Sequence, residues 1–322
     1  VVQIDKTKPE TAEITAKGNS FKSFINTITF GLFYDNTVDV TINSGDSLSG
    51  IKSVEYQKVS SEAAYNETGS WTTGNSFSVA PDEKFIVYAR LTDNAGNVTI
   101  INTNGIVTDN SNPTLSLSDV SGWKKADVTV QVTAGDNLAG IKEVTYTTDE
   151  TVPQTGSVTL TDGKGSFVLS KEGQYKVTVT VKDNSGNTFT QTADIKLDKT
   201  VPTILVTGVP TEWKPEAVLQ LQATAGVSGI KSITVNGTDI TSTYANGYKI
   251  TQSGTYAFTV TGNSGLTAAQ TVTVNTVDST KPNNAVIAGK ENYTSAKWYN
   301  TDQTVTATFT PVAGSPERLQ YS

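Results

Sequence analysis

Gly45-Asp46-Ser47-Leu48-Ser49-Gly50-Ile51-Lys52 returns as Gly135-Asp136-Asn137-Leu138-Ala139-Gly140-Ile141-Lys142, and in worn form as Ala225-Gly226-Val227-Ser228-Gly229-Ile230-Lys231. A second string follows each copy: Asp93-Asn94-Ala95-Gly96-Asn97, then Asp183-Asn184-Ser185-Gly186-Asn187, then more weakly Gly262-Asn263-Ser264-Gly265-Leu266. The aspartates of the two strings stand 47 residues apart both times (46 to 93, 136 to 183). A third string, Asp-x-x-x-Pro, precedes each set at Asp5–Pro9, Asp109–Pro113 and Asp198–Pro202, and occurs again at Asp278–Pro282. Its copies lie 104 residues (5 to 109), 89 (109 to 198) and 80 (198 to 278) apart, which are domain-sized intervals. Proline biases its predecessor towards extended backbone, as a short stiff linker requires. The repeats predict modules at 1–108, 109–197 and 198–277, with the start of a fourth at 278–322.

Between these turns the chain alternates with period two. Val128, Val130 and Val132 take one face and Thr129, Gln131 and Thr133 the other; Tyr175, Val177, Val179 and Val181 repeat the pattern, as do Tyr256, Phe258 and Val260. One apolar and one polar face per strand describe an antiparallel sheet packed on a second sheet. Short strands with turn signals about every ten residues favour a sandwich. Glu172-Gly173-Gln174-Tyr175 and Ser253-Gly254-Thr255-Tyr256 resemble the tyrosine corner that opens strand F of immunoglobulin sandwiches. That resemblance places Val177 and Phe258 where many family members carry a Cys, so packing replaces the disulfide. Phe33, Trp123, Trp213 and Trp298 each come just before strand B and are expected to plug the core, the alternative being a sugar-stacking platform. The predicted fold is all-β: tandem immunoglobulin-like antiparallel sandwiches in a linear array.

The first module is longer. From linker Asp to first-turn Asp it takes 41 residues (5 to 46), against 27 in the second (109 to 136). Within the surplus, about residues 19–34, Phe21, Phe24, Ile25 and Ile28 fall at i, i+3, i+4 and i+7 and predict a short amphipathic helix. It would cap one end of the sandwich or dock a partner. Trp71, in Thr68-Gly69-Ser70-Trp71-Thr72-Thr73-Gly74, is the tryptophan outside the repeated position. It is a candidate ligand platform, against the plainer expectation of a local packing anchor.

Composition narrows the chemistry. The 322 residues carry 24 Lys+Arg against 31 Asp+Glu, net −7, which disfavours nucleic acid and anionic membrane surfaces as partners. No apolar run approaches the roughly 18 residues that span a bilayer. Cys, Met and His are all absent, removing disulfides, thiolate nucleophiles, zinc fingers and the usual general base. The carboxylates gather in Asn/Gly turns with no nucleophile–base pair, so no catalytic residues are expected. The chain opens at Val1 without a charged-then-apolar leader and stops at Tyr321-Ser322, which reads as a piece of a longer chain.

The string Ser23-Phe24-Ile25-Asn26-Thr27-Ile28-Thr29-Phe30-Gly31-Leu32-Phe33 resembles a module repeated in large cell-wall-anchored proteins of gut Firmicutes. The two turn strings and the linker resemble bacterial Ig-like (Big-type) repeats of Gram-positive surface adhesins. This resemblance implies an extracellular, cell-surface stalk, expected to be monomeric, that presents a distal functional domain. It equally admits an adhesin module for a host glycoprotein, glycan or immunoglobulin, or accessory modules of a larger secreted hydrolase. Domains of this kind sometimes hold a Lys–Asn or Lys–Asp isopeptide bond, and Lys52, Lys142 and Lys231 recur at one position.

The sharpest expectation concerns metal. In an immunoglobulin sandwich the B–C and F–G loops share a pole with the start of strand A. That brings Asp5, Asp46 and Asp93 together in the first module and Asp109, Asp136 and Asp183 in the second. Three carboxylates at one pole repel unless a cation sits between them, and calcium takes six to eight hard oxygens. No other cofactor is expected. The third module has Ala225 and Gly262 at the corresponding positions, retaining only Asp198. Alternatively, each Asp merely hydrogen-bonds its own turn.

Overall fold

The computed structural model describes residues 2–280, 283–288 and 306–310. In the first repeat ten strands follow in order: β1 (Thr11–Ala16), β2 (Asn19–Phe21), β3 (Phe30–Tyr34), β4 (Val38–Gly45), β5 (Ile51–Val59), β6 (Thr72–Thr73), β7 (Ser76–Val79), β8 (Glu83–Asp93), β9 (Val98–Asn102) and β10 (Gly105–Thr108). One sheet runs β2-β1-β4-β7; the other runs β3-β10-β8-β5-β6, with β9 also on β8. Alternate side chains of both sheets meet in one core, including Ile14, Val40 and Ile42 from one and Phe85, Val87 and Leu91 from the other.

The second repeat is shorter: β11 (Thr114–Leu117), β12 (Val128–Gly135), β13 (Ile141–Thr148), β14 (Thr155–Ser157), β15 (Lys164–Leu169), β16 (Gly173–Asp183) and β17 (Thr188–Leu197). Its sheets are β11-β12-β15 and β14-β13-β16-β17, all antiparallel where register is defined. The third repeats this order with β18 (Thr203–Thr207), β19 (Ala217–Thr224), β20 (Ile230–Val235), β21 (Thr238–Asp239), β22 (Tyr248–Ile250), β23 (Gln252–Gly262) and β24 (Thr267–Asp278), in sheets β18-β19-β22 and β21-β20-β23-β24. A three-strand sheet on a four-strand sheet in this order is the immunoglobulin-like sandwich. Beyond it, β25 (Asn283–Ala288) pairs antiparallel with β26 (Thr306–Thr310); the rest of the expected fourth module, Trp298 included, lies outside the described residues.

Alternation sets the burial. Val128, Val130 and Val132 are buried while Thr129, Gln131 and Thr133 are exposed. Val177 and Phe258 are both fully buried, packed where a disulfide stands in other sandwiches. The Tyr256 hydroxyl donates to the Gln252 carbonyl at 2.7 Å, closing the corner at the start of its strand. Trp123 and Trp213 are only half-buried. Each sits beside a residue, Lys124 or Lys214, that bridges in parallel to the end of the last strand, as β3 does more fully with β10 in the first repeat.

By their contacts the residues form two compact units: Val1–Ser121 with Val128–Leu169 and Tyr175–Ile195, and Gly122–Asp127 with Ser170–Gln174 and everything from Lys196. The first holds the acidic turns of repeats one and two. The second holds the third sandwich together with a few residues that flank β12 and β16.

The expected helix near residues 19–34 is not there. A Lys17-Gly18 turn, both residues with positive φ, folds β2 back on β1. The following residues run as bends into β3. Their backbone groups are taken from the side: the Asn102 side chain accepts from Ile25 N (2.5 Å) and donates to Ile25 O (3.0 Å), and Asn104 accepts from Thr29 N (3.2 Å). A segment whose amides and carbonyls bond a neighbouring strand cannot close i to i−4 bonds. Four β-branched residues, Ile25, Thr27, Ile28 and Thr29, favour this outcome. Phe24 packs at the surface on Tyr65 and Tyr88.

Candidate metal centres

Strand register puts the three motifs at one pole. Residue Thr11 pairs with Gly45 and Thr114 with Gly135, which carries each linker to the first turn. Ile51 pairs with Asp93, Ile141 with Asp183 and Ile230 with Gly262, which sets the two turns side by side. Gly50, Gly140 and Gly229 all hold φ between 72° and 75°, a left-handed corner that glycine adopts without strain. Two residues after each, Lys52, Lys142 and Lys231 fall where the strand register slips by one residue. All three lysines are exposed. The β-bulge accounts for their recurrence, and an exposed lysine lacks the buried acid beside it that an isopeptide bond needs.

The expected acids converge. One carboxylate oxygen from each of Asp5, Asp46 and Asp93 lies within 4.8 Å of the others, and the same holds for Asp109, Asp136 and Asp183. Each pair of oxygens is thus close enough to share an ion at about 2.4 Å, a calcium–oxygen distance. Asp93, Asp109 and Asp183 are fully buried.

Each acid also serves its turn. Asp46 accepts the amides of Leu48, Ser49 and Gly50 through Oδ1, and Asp136 those of Leu138 and Gly140. Asp183 accepts Gly186 N (2.6 Å), Asn187 N and Asn187 Nδ2 (both 2.8 Å). Asp109 takes Ser111 N on one oxygen and Ala139 N on the other, both at 3.0 Å. Turn-making and metal-binding are compatible here, because oxygen lone pairs remain. In the first pole Asp5 Oδ2 and Asp46 Oδ2 are shielded from water and accept no hydrogen bond at all. Buried charged oxygens without a donor are costly unless a cation faces them.

The local donors sharpen that demand. The hydroxyl of Thr7 holds the Asp5 carboxyl below its ordinary value. Burial works to raise Asp93, but Asn97 and the Gly96 amide outweigh it and hold that carboxyl low too. Both therefore stay ionised at neutral pH, and the pole cannot relieve repulsion by taking up a proton there.

Sequence reading missed the asparagines. Asn94, Asn184 and Asn263 each donate Nδ2 to the two carbonyls before the bulge, at 2.7–3.4 Å, and lock second turn to first in all three repeats. Asn187 bridges Asp183 Oδ2 and the Asp109 carbonyl, both at 2.8 Å, and Asn97 does the same for Asp93 (2.7 Å) and the Asp5 carbonyl (3.4 Å). Their signal was in plain view, since the strings repeat Asn as faithfully as Asp.

The third pole differs. Asp198 is buried and alone: one oxygen accepts Thr200 N, the other Ser228 N, both at 3.0 Å. Ser264 N reaches Ser228 Oγ at 3.3 Å beside Gly262, so hydroxyls stand near the position of the lost acid. A Cβ on Gly226 would lie 2.1 Å from Asp198 Oδ1. The carboxylate lies directly against the turn at Gly226.

Trp71 is already engaged. Its Nε1 donates to the Glu67 carbonyl (3.0 Å), the Arg90 guanidinium lies 4.5 Å over its ring, and Tyr65 meets it edge-on. Arg90 in turn pairs with Glu55 at 3.0 Å.

Residues 34–110 match the profile of the bacterial Ig-like domain. No curated protein matches the sequence. Among solved structures, the chain is similar to the fibronectin(III)-like modules of Clostridium thermocellum CbhA (14% identity, 57% of this chain and 94% of that one, TM-score 0.28). It is also similar to the tetra-tandem repeat in the extending region of a large adhesion protein (15%, 88% and 78%, TM-score 0.32). A third likeness is to the protocadherin GammaB4 extracellular domain (17%, 88% and 52%, TM-score 0.33). Among the described residues no helix is long and apolar enough to cross a membrane.

Proposed function

We propose that this chain is a non-catalytic extracellular spacer of a bacterial surface protein, whose acidic poles bind calcium and which presents a functional domain carried elsewhere on the protein. The observation that carries the reading is the repeated triad. Linker, first turn and second turn each contribute one acid, so one ion ties the start of a module to two of its loops. Such a tie stiffens a string of sandwiches where it is weakest, at the linkers. Immunoglobulin-like modules are generally non-catalytic, and the acids here line turns and no substrate cleft. A glycan or host-protein site at Trp71 would be left only the ring surface that the Arg90 guanidinium does not cover.

Calorimetry with calcium on chelator-treated protein tests the metal reading. Up to two sites are expected, with a raised melting temperature, and Asp136→Ala or Asp183→Ala should remove one site. Absence of both binding and a melting shift would reduce these acids to turn formers. Small-angle scattering tests the spacer reading separately: an elongated particle is expected, and a compact profile would remove it.

A further inference from the structure

Lys199, in the linker Asp198–Pro202, makes contacts that the calcium reading leaves unexplained. Its ammonium donates to Asp127 Oδ1 (2.9 Å) and to the Ser170 carbonyl (2.8 Å), and its backbone amide donates to Glu172. The Thr200 hydroxyl reaches the same Glu172 carboxylate at 3.2 Å. From there Thr200 N bonds Asp198, and Asp198 bonds Ser228 of the third repeat's first turn. All of these residues belong to the second compact unit. The result is a continuous chain of bonds from Asp127, Ser170 and Glu172 through the linker to Ser228, with a protein cation inside it.

The linker Asp109–Pro113 has the same scaffold without the cation. There Asn110 N donates to Asp82 Oδ1 (3.1 Å), as Lys199 N does to Glu172, but residue 110 has no positive side chain. Asp82 adds a fourth acid to a linker already beside Asp109, Asp136 and Asp183. The first linker thus gathers four acids, Asp82, Asp109, Asp136 and Asp183, with no lysine at residue 110; the second keeps Asp198, Glu172 and Asp127 around a lysine.

We infer that the two linkers are held by different cations: Lys199 closes Asp198–Pro202 permanently, while Asp109–Pro113 closes only when calcium is bound. This rests on the calcium reading for the first linker and is independent of it for the second. The consequence is a chain in which calcium withdrawal loosens one linker and spares the next.

Hydrogen exchange read by mass spectrometry on the whole chain distinguishes the cases, using the amides of Asn110 and Ser111 against those of Lys199 and Thr200. Chelator should speed the first pair several-fold and leave the second unchanged. Lys199→Met, which keeps the aliphatic stem, should speed the second pair about threefold to tenfold with or without calcium, and Lys199→Arg should restore protection. Wild-type exchange at 199–200 in Lys199→Met would overturn the inference, as would chelator speeding both pairs alike. If chelator moves neither pair while Lys199→Met still opens 199–200, the calcium reading fails and the role of Lys199 stands.

Discussion

The first two poles and the third solve one problem in two ways. In repeats one and two, three acids gather around each pole, and in the first pole two of their oxygens are buried without a hydrogen-bond partner. In repeat three the first turn has the same length, but Ala225 and Gly262 replace the two turn acids, and Asp198 alone faces the gap with two amides and serine hydroxyls around it. The fold around both is the same, down to the bulge and the asparagine clamp. Charge at the pole is therefore separable from architecture, and a repeat can lose its clustered acids without losing its sandwich.

The comparison breaks most visibly at Gly226. A methyl there would overlap the Asp198 carboxylate, whereas Ser47, its neighbour in the first turn, already bears a side chain. Gly226→Ala should destabilise the third sandwich by about 2–3 kcal/mol, as overpacking does, read as a lowered urea midpoint. Unchanged stability would mean the close approach of Gly226 is not what holds Asp198.

The shared clamp offers a contrast of the opposite kind. Asn184→Ala and Asn263→Ala each take the side-chain donor from two carbonyls, of which the glycine one keeps the backbone amide of residue 184 or 263, and should cost about 1–2 kcal/mol in their own repeats. With calcium present the two losses should be similar, because the clamp serves the sandwich and not the ion. A markedly greater loss at Asn184 would show that clamp and ion are coupled.

Acid separates the third pole from a neutral substitute. Burial acts to raise the Asp198 carboxyl, but the hydroxyl and amide of Ser228 and the amide of Thr200 outweigh it, leaving it below its ordinary 3.8. A carboxyl lowered by folding stabilises above the unfolded value and loses that contribution as pH falls through the folded one. The third sandwich should thus be insensitive between pH 7 and 5 and weaken below about 4. Asp198→Asn, followed by circular dichroism, should be less stable at pH 7 and show a flatter acid limb.

The smallest effect belongs to the bulge lysines. Lys142→Ala removes an exposed side chain and should change stability by less than about 0.5 kcal/mol. The intact mass of the wild-type chain should equal that of its plain sequence. A mass deficit of ammonia or water would restore the crosslink.

What the amino-acid order determined by itself was local or periodic: strand alternation, turns marked by Gly and Asn, and acids repeated at one interval. These need no neighbour to be read, since pleat and turn geometry depend on residues a few places apart. The convergence of Asp5 with Asp46 and Asp93 was also legible once a sandwich was assumed, because loop positions follow from strand order. Tertiary structure alone decided the rest. Phe21, Phe24, Ile25 and Ile28 fit a helix as written, and only the Asn102 side chain, 77 residues from Ile25, claims the backbone groups a helix would use. Lys199 reads as a solvated linker charge until Asp127 and Ser170, far away in the chain, are brought against it. Partners of that kind are chosen by packing between distant segments, and no local pattern records which segment will arrive.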